Sequence, residues 1–129
     1  MPIRRVLLVD DEPDIRAIGA MSLRRVGKWE VDLAESGEAA LLLARAAPPD
    51  VVLLDVMMPG LGGPETMAAM RADPALTGVA IIVMSATLPE ADVARYLSLG
   101  AVGTIEKPFD PLELPAQIRA IVESAQRSE

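Results

Sequence analysis

Five short apolar runs recur along the chain at fairly even spacing, at residues 6–9, 31–34, 51–54, 79–84 and 102–105. The first, third and fourth are continuously apolar, the pattern of strands buried on both faces in a parallel sheet. The second and fifth are shorter of apolar character and more mixed, which predicts edge strands. Between the runs lie helical patterns. One spans residues 13–26, with Pro13 near its start after an acidic turn. Ser36 is placed to cap residues 37–47, where Ala40, Leu43, Ala44 and Ala47 repeat at helical spacing. Gly63-Pro64 opens a third helix to about Ala72. Thr87 with Glu90 three positions on has the form of a capping box for a helix to about Leu99. Asp110 with Glu113 repeats that form, with Pro111 at the first helical position and an apolar stripe of Leu114, Ile118, Ile121, Val122 and Ala125. Pro115 falls early enough in that helix for its missing N–H to be tolerated.

Strand and helix thus alternate five times, and parallel strands joined by helical crossovers predict a doubly wound α/β sandwich. The pattern assigns residues 1–125 to one domain and 126–129 to a short tail, with no linker or low-complexity segment. At 129 residues, with 51% hydrophobic and 24% charged residues, the chain has enough material for one well-filled core. Mean hydropathy is +0.33. No apolar run approaches the roughly 18–20 residues of a membrane span, and the N-terminus lacks a secretory pattern, so a cytoplasmic protein is expected. The net charge of -7 argues against a nucleic-acid backbone as partner. The chain has no Cys and no His, which excludes disulfides, thiol catalysis, imidazole metal ligands and Ser-His-Asp chemistry.

In a parallel sheet the C-terminal ends of the strands share one edge, where ligands bind. Asp10, Asp11 and Glu12 follow the first run, Asp55 the third, Ser85 the fourth and Lys107 the fifth. Asp10 and Asp11 could serve only as an acidic turn before a helix, and Ser85 as a local cap. Asp55 is harder to assign to a turn, since apolar residues flank it on both sides. Crowded carboxylates repel one another, and an oxygen-only donor set selects a hard divalent cation such as Mg²⁺. Lys107 stands out in a chain with 10 Arg and only 2 Lys. A metal, a carboxylate nucleophile, a hydroxyl and a cation together make a phosphoryl-transfer set. No G-x-x-x-x-G-K-[ST] loop is present, and Gly60, Gly62 and Gly63 after Pro59 carry no phosphate fingerprint.

With these residues in view, the chain resembles the receiver domain of two-component response regulators, the CheY-like superfamily, along essentially its whole length. The resemblance rests on Leu7-Leu8-Val9-Asp10-Asp11-Glu12, on Leu53-Leu54-Asp55-Val56-Met57-Met58-Pro59-Gly60, on Met84-Ser85-Ala86, on Gly100-Ala101 and on Lys107-Pro108-Phe109. It implies a flavodoxin-like (βα)5 fold with strand order 2-1-3-4-5. It implies that Asp55 is the phosphoacceptor, loaded from a phosphohistidine on a sensor histidine kinase or a histidine phosphotransfer protein. It further implies that Asp11, Asp55 and the backbone carbonyl of Met57 ligate Mg²⁺ or Mn²⁺ directly and that Asp10 acts through water. Ser85, Ala86 and Lys107 would bind the phosphoryl group and relay its presence. A downstream protein would meet the face made by the fourth helix, fifth strand and fifth helix.

Two positions depart from the family pattern. Thr104 stands where an aromatic switch residue is common, and Met57 where a polar residue is common. The alternative function is a Mg²⁺-dependent phosphatase working through an aspartyl phosphate. Such enzymes usually carry a second Asp two residues after the nucleophile, and that position is Met57 here.

Overall fold

The computed structural model describes residues 2–57 and 62–127. Strands β1 (Arg5–Val9), β2 (Glu30–Ala34), β3 (Val51–Asp55), β4 (Ala80–Ser85) and β5 (Gly103–Glu106) alternate with helices α1 (Pro13–Met21), α2 (Gly37–Ala46), α3 (Gly63–Ala72), α4 (Glu90–Ser98) and α5 (Leu114–Arg127). The strands form one parallel sheet in the order β2-β1-β3-β4-β5. The two mixed runs are the edges, as their composition predicts, and the three continuous runs are central.

Side chains alternate across each central strand, so a continuous apolar run feeds two cores. Leu7 and Val9 of β1 join Ala40, Leu41, Met67 and Met70 from α2 and α3. Val6 and Leu8 join Leu114, Ile118 and Val122 from α5. α1 lies on the α5 side and approaches β1 so closely that a Cβ on Gly19 would sit 2.5 Å from Leu8 Cδ2. Leu8, Leu53, Leu54 and Ile82 are wholly buried. Truncating any of them to Ala would cost about 2–5 kcal/mol through lost transfer energy and the cavity left behind.

The helix termini differ from the sequence pattern in three places. The Thr87–Glu90 capping box does not form. Thr87 N–H donates to Ser85 Oγ at 3.3 Å, which uses Thr87 in the turn leaving β4, and α4 starts after Pro89 with no side-chain cap. Asp110 does cap locally, its carboxylate accepting from Leu112 N–H at 2.9 Å. That bond shapes a turn over residues 111–113, so α5 begins at Leu114 and not at Pro111, and it runs to Arg127, past Ala125. The first helical pattern divides into α1 and one π-helical turn, Ser22–Val26. Tertiary bonds account for it: the buried Ser22 hydroxyl donates to Pro111 O, and Arg119 donates to Gly27 O at 3.2 Å. Ser36 caps α2 as predicted, accepting from Ala39 N–H at 3.1 Å. Met58, Pro59 and Gly60 of the second motif lie outside the described residues.

Candidate functional site

The chain turns to β2 on one side of β1 and to β3 on the other, which opens a crevice at the C-terminal ends of β1 and β3. Asp10 follows β1 directly and is still held as an extension of the sheet, its N–H donating to Ala34 O at 3.0 Å. Its Oδ1 accepts Glu12 N–H at 2.9 Å, a local turn that redirects the chain into α1. Arg16, from the first turn of α1, donates to Asp10 O at 2.7 Å. Asp55 ends β3 opposite Met84 of β4, and its Oδ1 accepts Met57 N–H at 2.9 Å. α3 then presses on the residue after it: a Cβ on Gly63 would lie 2.5 Å from Val56 Cγ1 and 2.8 Å from its Cα. Only glycine permits that approach, and it fixes the backbone on the C-terminal side of Asp55.

Lys107 leaves β5 with its N–H donating to Ser85 O at 2.9 Å. Its ammonium reaches across the sheet edge to Asp10 Oδ2 at 3.0 Å, Asp55 Oδ2 at 3.3 Å and Glu12 Oε1 at 3.5 Å. Asp10 and Asp55 are buried, whereas Glu12 reaches solvent. Burial raises the Asp55 carboxyl above its ordinary value; the Met57 N–H opposes this, the Asp10 charge reinforces it, and Lys107 opposes it again. Burial also works against the Lys107 ammonium. The hydrogen bond to Asp10 and the charges of Asp55 and Asp10 outweigh that, and the net shift is upward.

One ammonium faces several carboxylates. Asp10, Asp11, Glu12 and Asp55 each present an oxygen, and those oxygens all lie within 4.8 Å of one another. An oxygen-only cluster of this charge, with no His or Cys in the chain, suits a hard divalent cation.

The structure therefore brings Asp10, Asp11, Asp55 and Lys107 together. Ser85 is buried at the end of β4, but its hydroxyl is engaged by Thr87 N–H. Ala86 follows it, exposed. Met57 contributes its N–H to Asp55, and its side chain is in solvent, 73% exposed. Thr104 is half-buried in β5 opposite Val83. Two participants received no role from the sequence. Glu12 was visible as the third acid after β1, but only the fold shows it paired to Lys107. Arg16 binds a main-chain carbonyl, and nothing in its sequence context signals that.

The model of the response regulator receiver domain matches residues 6–119. The DNA-binding response regulator MtrA of Mycolicibacterium smegmatis is 38% identical over 117 residues, covering 91% of this chain and 50% of the relative. The probable transcriptional regulator ycf27 of Guillardia theta is 43% identical over 118 residues, covering 92% and 45%. The chain spans about half the length of these curated relatives. The chemotaxis protein CheY4 of Vibrio cholerae superposes with a TM-score of 0.87 at 30% identity, covering 93% of this chain and 99% of that one. For the phosphatase alternative, MtrA and ycf27 are named as regulators and not as phosphatases. The expectation of no nucleic-acid partner finds no support either, since MtrA is named as DNA-binding. Among the described residues no helix is long and apolar enough to cross a membrane. On motif, topology and family match alike, the chain belongs to the response regulator receiver domain family, the signal-receiving module of two-component systems.

Proposed function

We propose that the chain is a phosphorylation-dependent signalling receiver in which Asp55 accepts a phosphoryl group from a phosphohistidine. The donor is a sensor histidine kinase or a histidine phosphotransfer protein; with no His of its own, the chain cannot supply that group itself. The observation that carries the reading is Lys107, held between two buried carboxylates at 3.0 and 3.3 Å on the C-terminal edge of the sheet.

In the transfer, a carboxylate oxygen of Asp55 forms a bond to phosphorus as the P–N bond to histidine breaks, and the imidazole leaves with that electron pair. Lys107 moves from the Asp55 carboxylate to a phosphoryl oxygen. The Ser85 hydroxyl exchanges the Thr87 N–H for another phosphoryl oxygen, and Ala86, next in the same turn, moves with it. Asp11, Asp55 and the Met57 carbonyl would hold Mg²⁺ or Mn²⁺, with Asp10 acting through water. When bound, the metal neutralises charge on the phosphoryl oxygens and the carboxylates. Thr104 cannot bury a ring in the sheet edge, so the signal rests on Ser85 and Lys107 and passes to the α4–β5–α5 face, where a downstream protein docks.

Incubation with Mg²⁺ and acetyl phosphate, followed by mapping of the modified residue, tests the assignment. Label at Asp55, lost in Asp55→Asn, is expected. Full labelling of Asp55→Asn would overturn it.

A further inference from the structure

The opposite edge of the sheet, where the strands begin, carries charge of the other sign. Three adjoining cavities of about 580, 710 and 210 Å³ share Ile3 and run beneath the N-terminal ends of the strands. Arg4, Arg5, Arg24, Lys28, Arg71 and Arg119 line them, half of the chain's 12 basic residues. The carboxylates on the same walls are Glu30, Asp50 and Glu123. Six cations against these three carboxylates and Asp32, which pairs with Arg5 at 2.9 Å, leave a surplus of two positive charges at this end of a chain whose net charge is -7.

Apart from Arg5, which pairs with Glu30 and Asp32, the cations are also unspent. Glu30 is taken by Arg5, and the Asp50 carboxylate accepts the N–H groups of Arg4 and Arg5 at 2.8 and 3.1 Å. Among the described residues, no ion pair engages Arg4, Arg24, Lys28, Arg71 or Arg119. Three of these guanidinium groups are nevertheless fixed in place by neutral main-chain carbonyls. Arg24 donates to Val31 O at 2.9 Å, Arg71 to Gly100 O at 2.9 Å and Thr77 O at 3.1 Å, and Arg119 to Gly27 O at 3.2 Å. Such bonds restrict the side chains without neutralising them and leave other N–H donors open. Ile3, Trp29 and Val122 give the groove an apolar floor.

From this we infer that the N-terminal edge of the sheet is a docking groove for an acidic, extended peptide segment of a partner protein. Charge complementarity selects the acidic chemistry. The acidic body of the domain selects its size, because a long polyanion such as nucleic acid would lie against repelling surface as well as the groove. The apolar floor favours a segment whose acids are interleaved with apolar side chains.

Trp29 is the only tryptophan, and the Arg119 guanidinium lies over its ring at 4.8 Å, so its emission reports on this groove alone. The probe is a synthetic peptide of paired glutamates separated by single leucines, titrated at low ionic strength. The expected result is a saturable change in Trp29 emission that is lost in about 0.5 M salt and absent with a basic peptide of equal length. The double variant Arg4→Glu, Lys28→Glu should bind about tenfold more weakly, from two charge reversals at exposed positions. Arg4→Glu alone, whose side chain makes no hydrogen bond in the described structure, should bind detectably more weakly and serves if the double variant does not fold. Unsaturable binding, or equal affinity in the variants, overturns the inference. So does equal or tighter binding of inorganic phosphate or a single-stranded oligonucleotide, which would leave only a general anion surface.

Discussion

Replacing Lys107 by Met keeps most of the side-chain length and its apolar stem while removing the charge. In the native protein the ammonium lies 3.0 Å from Asp10 Oδ2 and 3.3 Å from Asp55 Oδ2, and the three side chains are 9%, 0% and 1% exposed. Were this a surface pair, its loss would cost under about 1 kcal/mol. Burial places it in the other regime, where removing one partner strands an uncompensated charge at a cost of about 3–5 kcal/mol. Glu12, 61% exposed beside the same ammonium, shows that solvent reaches one side of the cluster. The lower end, about 3 kcal/mol, is therefore expected, a shift of more than about a hundredfold in the folding equilibrium. Divalent cations should reverse much of it. A ligand that binds only the folded state stabilises as RT ln(1 + [L]/Kd), and the variant's carboxylates, without their ammonium, should hold Mg²⁺ more tightly than those of the wild type. The assay is urea unfolding of both proteins with a chelator and with about 10 mM Mg²⁺. A loss below about 1 kcal/mol in the chelator would show that the site behaves as solvent-screened surface. A gap that Mg²⁺ leaves unchanged would refute the account of the cluster as a cation site.

Asp11→Ala should abolish Mg²⁺ binding in calorimetric titration and, by relieving repulsion, leave the metal-free protein at least as stable as the wild type; unchanged affinity would remove Asp11 from the ligand set. Lys107→Arg should still take up phosphate at Asp55 but lose the phosphorylation-induced NMR shifts on the α4–β5–α5 face, because a planar fork cannot concentrate its charge where the ammonium does; equal shifts would mean that Lys107 acts only as a charge. Asp73 accepts Ala75 N–H and pairs with Arg45, and both hold its carboxyl below the ordinary value. A depressed folded-state value stabilises above the unfolded value of about 4 and is lost as pH falls through the folded one. Asp73→Asn should therefore lower the urea midpoint at pH 7 by an amount that vanishes in strong acid, and a pH-independent difference would contradict this.

How much of this could be read before the structure depends on the range of the physics involved. The strand order and the C-terminal edge follow from repeated local signals, continuous apolar runs and helical crossovers, which tertiary packing reinforces. Asp10, Asp55, Ser85 and Lys107 were therefore placed on one edge by counting from strand ends. The pairing of Lys107 with Glu12 was not, because the two side chains meet 95 residues apart, at a distance set by the lean of both. The starts of α4 and α5 failed for a different reason, while those of α1, α2 and α3 held. A Thr-x-x-Glu spacing specifies a cap only when the Thr backbone is free, and in the β4–α4 turn Ser85 takes the Thr87 N–H first. The same competition explains the π-helical turn, which follows from Ser22 and Arg119 reaching segments distant in sequence.

The two ends of the sheet show the same principle with opposite results. At the C-terminal edge the acids were conspicuous because they interrupt or follow apolar runs, where a carboxylate has no solvating role to play. At the N-terminal edge Arg4, Arg24, Lys28 and Arg119 sit in exposed positions, where charge is the ordinary state of a residue and carries no signal. Their significance lies in convergence from the segment before β1, the π-helical turn, the following loop and α5, and in the absence of carboxylate partners among the described residues. Neither property is local in sequence. A buried charge therefore identifies itself from its neighbours along the chain, whereas a surface constellation becomes visible only when the fold brings its members together. Functional sites built from exposed residues on several elements should, for that reason, be sought in the structure even where the sequence has already supplied a family.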